Sequence, residues 1–243
     1  MPAYRFFHNE QLIEAQEITI EGKELHHLCN VMKLKESETL ELVNGRGCLA
    51  TATLIKKSKK KAIVQIDKVK IYKERKNKFS IIQGFCKEKK RLHLILEKAC
   101  EIGVDSFYYF CSEKGADLEQ VVRAKEKLQE IAVAAMKQSG RLFLPKLKCL
   151  NSIKELEGFS SPIFYGSLSE DSSLLTNELI KIKKFDTPFH ILIGPESGLS
   201  KTEENFLESI QAKKVNFNTH TLRTETAAIV SLGIISHHIQ SLS

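Results

Sequence analysis

The chain lacks the marks of several protein classes. None of its six cysteines stands in a C-x-x-C pair. His26-x-x-Cys29 and the pairs His26-His27 and His237-His238 find no second ligand pair at a matching spacing. Structural zinc is held by such paired ligands, so no metal is expected. A chain of 243 residues needs no disulfide staples to hold a core, and free thiols in a reducing compartment are the expectation. The opening residues, MPAYRFFHNE, carry no apolar stretch of the signal-peptide kind. The longest nearly apolar run, Ala227 to Ile235, is broken by Ser231 and Gly233 and is about half a membrane span. A cytoplasmic protein is expected from these absences. A P-loop, a G-x-G-x-x-G fingerprint and a G-x-S-x-G elbow are missing too, which argues against nucleotide hydrolysis, dinucleotide chemistry and the common hydrolases. There is no internal repeat and no low-complexity tract.

What is present is an ordinary globular composition, 42% hydrophobic and 28% charged, with a net charge of +7. The charge is unevenly placed. Residues 1–91 hold 20 Lys and Arg against 11 Asp and Glu, a net of +9, and residues 92–243 are close to neutral at −2. Two runs dominate, Lys56 to Lys61 and Lys73 to Arg91. Each run alone reads equally well as a solvated face. The asymmetry suggests an N-terminal module that meets phosphate and a C-terminal module with another task.

The hydrophobic pattern divides the chain the same way. Residues 1–72 read as short strands, with alternation over Glu38–Val43 and a turn at Asn44-Gly45-Arg46-Gly47. A short helix is expected at His26–Met32, and the set suggests a compact barrel. Residues 73–78, KERKNK, have no apolar content and read as a linker. From residue 79 strands and helices alternate, the pattern of a largely parallel α/β sheet. Phe79–Phe85 is a buried-type strand. Leu92, Ile95, Leu96 and Ala99 recur at helical spacing until Gly103 stops the helix. One long helix is expected from Val121 to Gly140, and a last one from Glu225 to His238 that is apolar nearly all round. Ser200-Lys201-Thr202-Glu203 is a capping box.

Three clusters could carry chemistry. In Ile191 to Ser200, ILIGPESGLS, a buried strand runs into a glycine turn and a capped helix. Ligands in open α/β sheets sit at such strand ends, although a plain turn would look the same. Thr221 to Ala228, TLRTETAA, puts an Arg, a Glu and hydroxyls at the mouth of an apolar helix. Thr224 is explicable as an N-cap and Glu225 by the helix dipole. Arg223 has no such explanation and suits a phosphate or carboxylate. Gln138-Ser139-Gly140-Arg141 reads alone as a glycine stop with an Arg near the negative helix end.

Taken in order, these segments resemble the RsmE family of bacterial ribosomal RNA methyltransferases. Its motifs are matched by His26-His27-Leu28 with Val31-Met32-Lys33, by Glu97 to Val104, and by Ser112-Glu113-Lys114. Gln138 to Arg141, the loop at 193–200 and Leu222 to Ala227 complete the set. The resemblance implies an α/β protein with an N-terminal PUA-like β-barrel (1–72), the linker 73–78, and a SPOUT methyltransferase domain with a C-terminal trefoil knot (79–243). It implies a homodimer and S-adenosylmethionine as cofactor. The activity implied is methylation of N3 of one uridine of 16S rRNA in the small ribosomal subunit. The cofactor site would comprise Leu192, Ile193, Gly194, Pro195, Glu196, Gly198, Phe217, Asn218, Thr219, Leu222 and Thr224, with the loop after Tyr165 as a third wall. Catalytic roles fall to Arg223, stabilising charge on the base or holding a phosphate, and to Glu225, orienting Arg223 or taking the proton. RNA contacts are expected from Lys33, Lys57, Lys59, Lys60, Arg91, Lys114, Gln138 and Arg141.

Two departures stand out. Ser197 replaces the family's second glycine, and if that position takes φ > 0 the substitution costs roughly 1–2 kcal/mol. Phe217 to Thr221, FNTHT, replaces a segment containing an Arg, with Asn218 able to adopt the left-handed conformation. The rival readings are a SPOUT methyltransferase with another rRNA or tRNA target and a non-catalytic ribosome-assembly RNA-binding protein.

Overall fold

A computed structural model describes residues 4–115, 118–182 and 188–242. The chain divides into two compact units. One comprises Met1–Glu74 with Val133–Leu144, the other Arg75–Ala132 with Pro145–Ser243.

The first unit is built on a five-stranded sheet in the order β1-β3-β4-β5-β2. The strands are β1 (Arg5–Phe7), β2 (Glu17–Ile20), β3 (Thr39–Val43), β4 (Cys48–Lys57) and β5 (Ala62–Ile71). All ladders are antiparallel except β1 with β3. No ladder joins β1 to β2 among the described residues, so the expected barrel is a half-barrel. Its core follows the two-residue period of a strand: Leu40 and Leu42 from β3, Ala50, Ala52 and Leu54 from β4, Ala62, Val64 and Ile66 from β5. Helix α1 (Gly22–His26) and a π-helical turn (His27–Val31) add Leu25 and Leu28 to that core. The expected single helix is thus two short pieces. At the β4–β5 hairpin the Ser58 hydroxyl oxygen accepts from the N–H groups of Lys60 and Lys61. The Lys57 ammonium donates to the Leu34 carbonyl, while Lys59 and Lys60 are exposed.

The second unit holds a seven-stranded sheet in which every ladder is parallel. In chain order its strands are β6 (Phe79–Gly84), β7 (Ser106–Phe110), β8 (Lys146–Leu150), β9 (Ile163–Gly166), β10 (Ser173–Leu174), β11 (Phe189–Ile193) and β12 (Lys213–Asn216). In space the order is β10-β12-β9-β11-β6-β7-β8. Every residue of β6 and β11 is buried, as expected of parallel strands covered on both faces. Polar β8, β10 and β12 gave no strand signal in the sequence.

Helix α2 (Lys89–Ile102) stops at Gly103, whose φ of 107° is open to glycine. The expected long helix is two, α3 (Leu118–Arg123) and α4 (Lys125–Ser139). Two further helices, α5 (Leu175–Ile180) and α6 (Lys201–Ser209), precede α7 (Thr224–Ser241). Helix α7 packs on β6, β11, α2 and α5. It starts one residue earlier than expected and its N-cap is Arg223, with no side-chain cap. Ala228, Leu232 and Ile235 are fully buried, whereas Thr226 and Gly233 are exposed.

The capping box of α6 reaches beyond its own helix. Ser200 Oγ accepts from the Glu203 N–H at 3.0 Å, and the Glu203 carboxylate accepts from the Ser200 N–H at 2.8 Å. The same buried carboxylate accepts from Ser112 Oγ at 3.0 Å and the Glu113 N–H at 3.1 Å, beyond the end of β7. Glu203→Ala would leave two buried donors and one half-buried donor without their acceptor, an expected loss of about 3 kcal/mol. Ser200→Ala, which removes one cap, should lose about 1 kcal/mol. Urea unfolding of both variants checks the ordering.

Candidate active site

Strands β9, β11 and β12 are neighbours and parallel, so the three loops that follow them leave the sheet on one side. Between these loops lies a cavity of about 520 Å³. This is the carboxyl edge at which open parallel sheets bind ligands. Its walls are Gly166, Ser167 and Leu168 after β9, Ile193 to Glu196 with Gly198 and Leu199 after β11, and Asn216 to Asn218 with His220 to Thr224 after β12. Arg91, Glu204 and Ala227 complete it.

Nine of the residues expected at a cofactor site line this cavity. Leu192 and Thr219 do not. The reason for Leu192 is strand alternation: Ile193 faces the cavity, and Leu192 points to the opposite face, in a core cluster with Ile82, Tyr165 and Leu207. The wall after β9 is where the resemblance implied it. Asn216 was not anticipated. It ends the polar strand β12, and its buried Oδ1 accepts no hydrogen bond among the described residues, leaving an acceptor for a ligand donor.

The loop after β11 is held from below. A Cβ on Gly84 would lie 2.5 Å from Pro195 Cδ and 2.6 Å from its nitrogen, so only glycine admits this approach. The Glu196 carboxylate accepts from the N–H groups of Lys87 and Glu88 at 3.3 and 3.4 Å, just before α2. Ser197 is not in the left-handed region. That conformation belongs to Gly198, at φ 70°, so Ser197 bears no backbone penalty. Its hydroxyl donates to the Lys114 carbonyl at 2.8 Å, and Lys114 Nζ donates to the Leu199 carbonyl at 3.0 Å. Asn218 also keeps a negative φ.

The charged groups are arranged differently from the simplest expectation. Arg223 is exposed at the cavity wall and makes no ion pair among the described residues. Glu225 stands 3.8 Å from Arg91 Nη1, not against Arg223, and its Oε2 is buried without a hydrogen bond. Arg91 Nε donates to Glu88 Oε2 at 2.8 Å. Cys86 lies beneath this group. Burial pushes its thiol up to about 12, with the Glu196 and Glu225 carboxylates adding to the rise. It stays a thiol at neutral pH and is no nucleophile. Thr224 does not cap α7, and its hydroxyl donates to the Gly194 carbonyl at 2.7 Å.

The remaining expected RNA contacts lie elsewhere. Lys33 sits at φ 52° beyond the π-helical turn. Gln138 and Arg141 flank Gly140 at the end of α4, in the first unit, where Gly47 N–H donates to the Leu142 carbonyl and Leu144 N–H to the Gly45 carbonyl. Among the described residues no group of three His, Cys, Asp or Glu is placed to hold a metal. Among the described residues no helix is long and apolar enough to cross a membrane.

Comparison with known proteins agrees with this geometry. Residues 73–236 match the family model described as an RNA methyltransferase domain, and residues 20–67 match an RNA methyltransferase PUA domain. The ribosomal RNA small subunit methyltransferase E of Bacillus subtilis is 26% identical, over 96% of this chain and 94% of its own. A relative in Borreliella burgdorferi, ribosomal RNA small subunit methyltransferase E 2, is 29% identical over 88% of each chain. The solved structure of methyltransferase E from Neisseria gonorrhoeae, bound to S-adenosyl methionine, shares the fold with a TM-score of 0.85. It is 23% identical over 97% of each chain. Matched over residues 73–236, which carry the parallel sheet, the chain belongs to the RNA methyltransferase domain family.

Proposed function

We propose that this protein is an S-adenosylmethionine-dependent methyltransferase acting on N3 of a uridine in 16S rRNA of the small ribosomal subunit, in the cytoplasm. The observation that carries the reading is the three-walled cavity at the carboxyl ends of β9, β11 and β12, in a chain whose relatives bear that enzyme's name. The residues suit the cofactor. Ile193, Leu199, Phe217 and Leu222 offer apolar surface, backbone groups of three loops offer hydrogen bonds, and Asn216 Oδ1 has a vacant lone pair. When bound, S-adenosylmethionine supplies an electrophilic methyl group on a sulfonium.

The protein's own residues must then manage the base. Uracil N3 is a weak acid, and its proton must leave for the nitrogen to react. Glu225 pairs with Arg91 and so does not orient Arg223; in this reading its role is to accept that proton. Arg223, exposed and without an ion pair among the described residues, faces the developing anion of the base or a phosphate. N3 lies on the Watson–Crick edge, so the target is unpaired or flipped when it is reached. Residues 1–72 serve as the RNA-binding half-barrel, residues 73–78 as a linker, and 79–243, apart from the 133–144 segment that groups with the first unit, as the catalytic domain with a trefoil knot. Arg91 works at the cavity. Lys33, Lys57, Lys59, Lys60, Gln138 and Arg141 meet RNA, while Lys114, bound to the Leu199 carbonyl, holds the loop after β11.

Three measurements test this. Calorimetric titration of S-adenosylmethionine should give one site per chain, and single-turnover methyl transfer to small-subunit particles should yield N3-methyluridine. Arg223→Ala should slow that transfer by about 10²-fold while cofactor affinity moves little. Weakened cofactor binding at a normal single-turnover rate would place Arg223 in the cofactor site instead.

Replacing Lys57, Lys59 and Lys60 by Gln should flatten the salt dependence of RNA binding, by about one unit of log–log slope for each phosphate that is no longer neutralised. An unchanged slope would make this run a solvated hairpin tip.

The homodimer belongs to the same reading, and the apolar Ala227, Ile229, Val230 and Ile234 of α7, left only half-buried in the single chain, support it. Light scattering at micromolar concentration should report twice the 27.6 kDa chain mass. A single-chain mass would overturn it.

A further inference from the structure

Strand β6 runs Phe79-Ser80-Ile81-Ile82-Gln83-Gly84 through the middle of the sheet, and all six residues are buried. Gln83 is the only long polar side chain among them, with no exposed surface at all. An amide is costly to bury unless its hydrogen bonds are made. Its Nε2 lies 3.0 Å from the Gly84 carbonyl, 3.3 Å from the Gly194 carbonyl and 3.1 Å from Thr224 Oγ1, so the donor half of the amide is used, while Oε1 accepts no hydrogen bond among the described residues. The Thr224 hydroxyl closes the figure by donating to the Gly194 carbonyl at 2.7 Å.

These partners come from separate parts of the chain. Gly194 is where the chain leaves β11 to form one wall of the cavity, and Thr224 opens the helix that carries Glu225 and follows Arg223. The Thr224 hydroxyl ties one segment to the other directly, and the Gln83 amide braces that tie from β6. The Gly194 carbonyl points below the loop, and Thr224 has abandoned its capping role to reach it. The Gln83 amide is bonded to both.

We propose that Gln83 is a positioning residue for the methyl-transfer site: its buried amide clamps the Gly194 carbonyl and the first turn of α7 together, setting the cofactor wall and the catalytic helix in one register. The proposal rests on the cofactor reading above for its functional consequence, although the clamp itself does not depend on any ligand. Gln83 is too deep to touch RNA, and it acts only through Gly194 and Thr224.

Two consequences separate a clamp from mere core filling. Breaking it should loosen both segments at once, and its two donors should behave as one unit. The variants are Gln83→Met, which keeps length and removes the amide, Thr224→Val, which removes the hydroxyl alone, and the double variant. Thr224→Ser retains the hydroxyl and serves as the conservative control.

In cofactor-free protein, amide hydrogen exchange should accelerate at least tenfold across 194–199 and 224–228 in Gln83→Met, with β7 and β8 unchanged. S-adenosylmethionine affinity should fall roughly tenfold, the scale of one unmade buried hydrogen bond. The KM for RNA should stay within about twofold, and Thr224→Ser should lose less cofactor affinity than Thr224→Val. The double variant should be no weaker than its worse parent, because both side chains act through the same carbonyl.

Native exchange rates at both segments in Gln83→Met overturn the clamp whether or not the protein binds S-adenosylmethionine. So do additive losses in the cycle. If Gln83→Met does not fold, Thr224→Val decides: it should speed exchange at 194–199, and native exchange there overturns the proposal. Wild-type protein that fails to bind S-adenosylmethionine, with accelerated exchange in Gln83→Met, leaves the clamp standing and removes the proposed function instead.

Discussion

The lateral pairing of β11 with β6 is the constraint on which the cavity depends. Ile193 pairs with Gln83 in that ladder, so each strand's departure from the sheet falls beside the other's. Gly84 and Pro195 then meet at a distance that leaves no room for a side chain on Gly84. Because parallel ladders run all strand ends the same way, the loops after β9 and β12 open on this side too. A site assembled this way draws its walls from residues 166–168, 193–199 and 216–224, which lie far apart in the chain.

The polar groups near the cavity divide into those that hold loops and those left for a partner. Glu196, Ser197, Lys114 and Thr224 all have protein partners that anchor the loop after β11. Glu203 anchors it from the far end through a four-way tie with Ser200, Ser112 and Glu113. Much of the Ser112-Glu113-Lys114 motif is therefore scaffold. Asn216 Oδ1, Arg223 and Glu225 Oε2 are different. Each is at or beside the cavity with bonding capacity the described residues do not use fully. Buried polar groups are ordinarily satisfied, so these are the atoms at which to seek ligand contacts.

The basic first third and the near-neutral remainder fit a division of labour between an RNA grip and a reaction chamber. The half-barrel supplies the first with a rigid hairpin tip. Its lysines are not equivalent, since Lys57 is bound to the Leu34 carbonyl and Lys59 and Lys60 are exposed. The second unit contributes two arginines at its cavity, one paired with Glu88 and Glu225 and one exposed without an ion pair among the described residues.

What the sequence by itself determined was the strongly periodic and the strongly punctuated. The buried strand 79–85, the stop at Gly103, the capping box at Ser200 and the glycine turn after β11 were all legible. Each is set by interactions within a few residues: alternation, a left-handed glycine, a hydroxyl beside a free N–H. The polar strands β8, β10 and β12 were not, because their strand character comes from a neighbour's ladder, not from their own pattern. The break between α3 and α4 and the start of α7 at Thr224 were likewise decided by tertiary packing. So were the pairings at the site. Arg91 to Glu225, Gln83 to Gly194 and Thr224, and the turn of Leu192 away from the cavity all join residues distant in sequence, and only the sheet order brings them together. Gln83 did leave one trace, a lone long amide in an otherwise small or apolar buried strand. Such a residue needs partners, and the folded chain alone decides which ones.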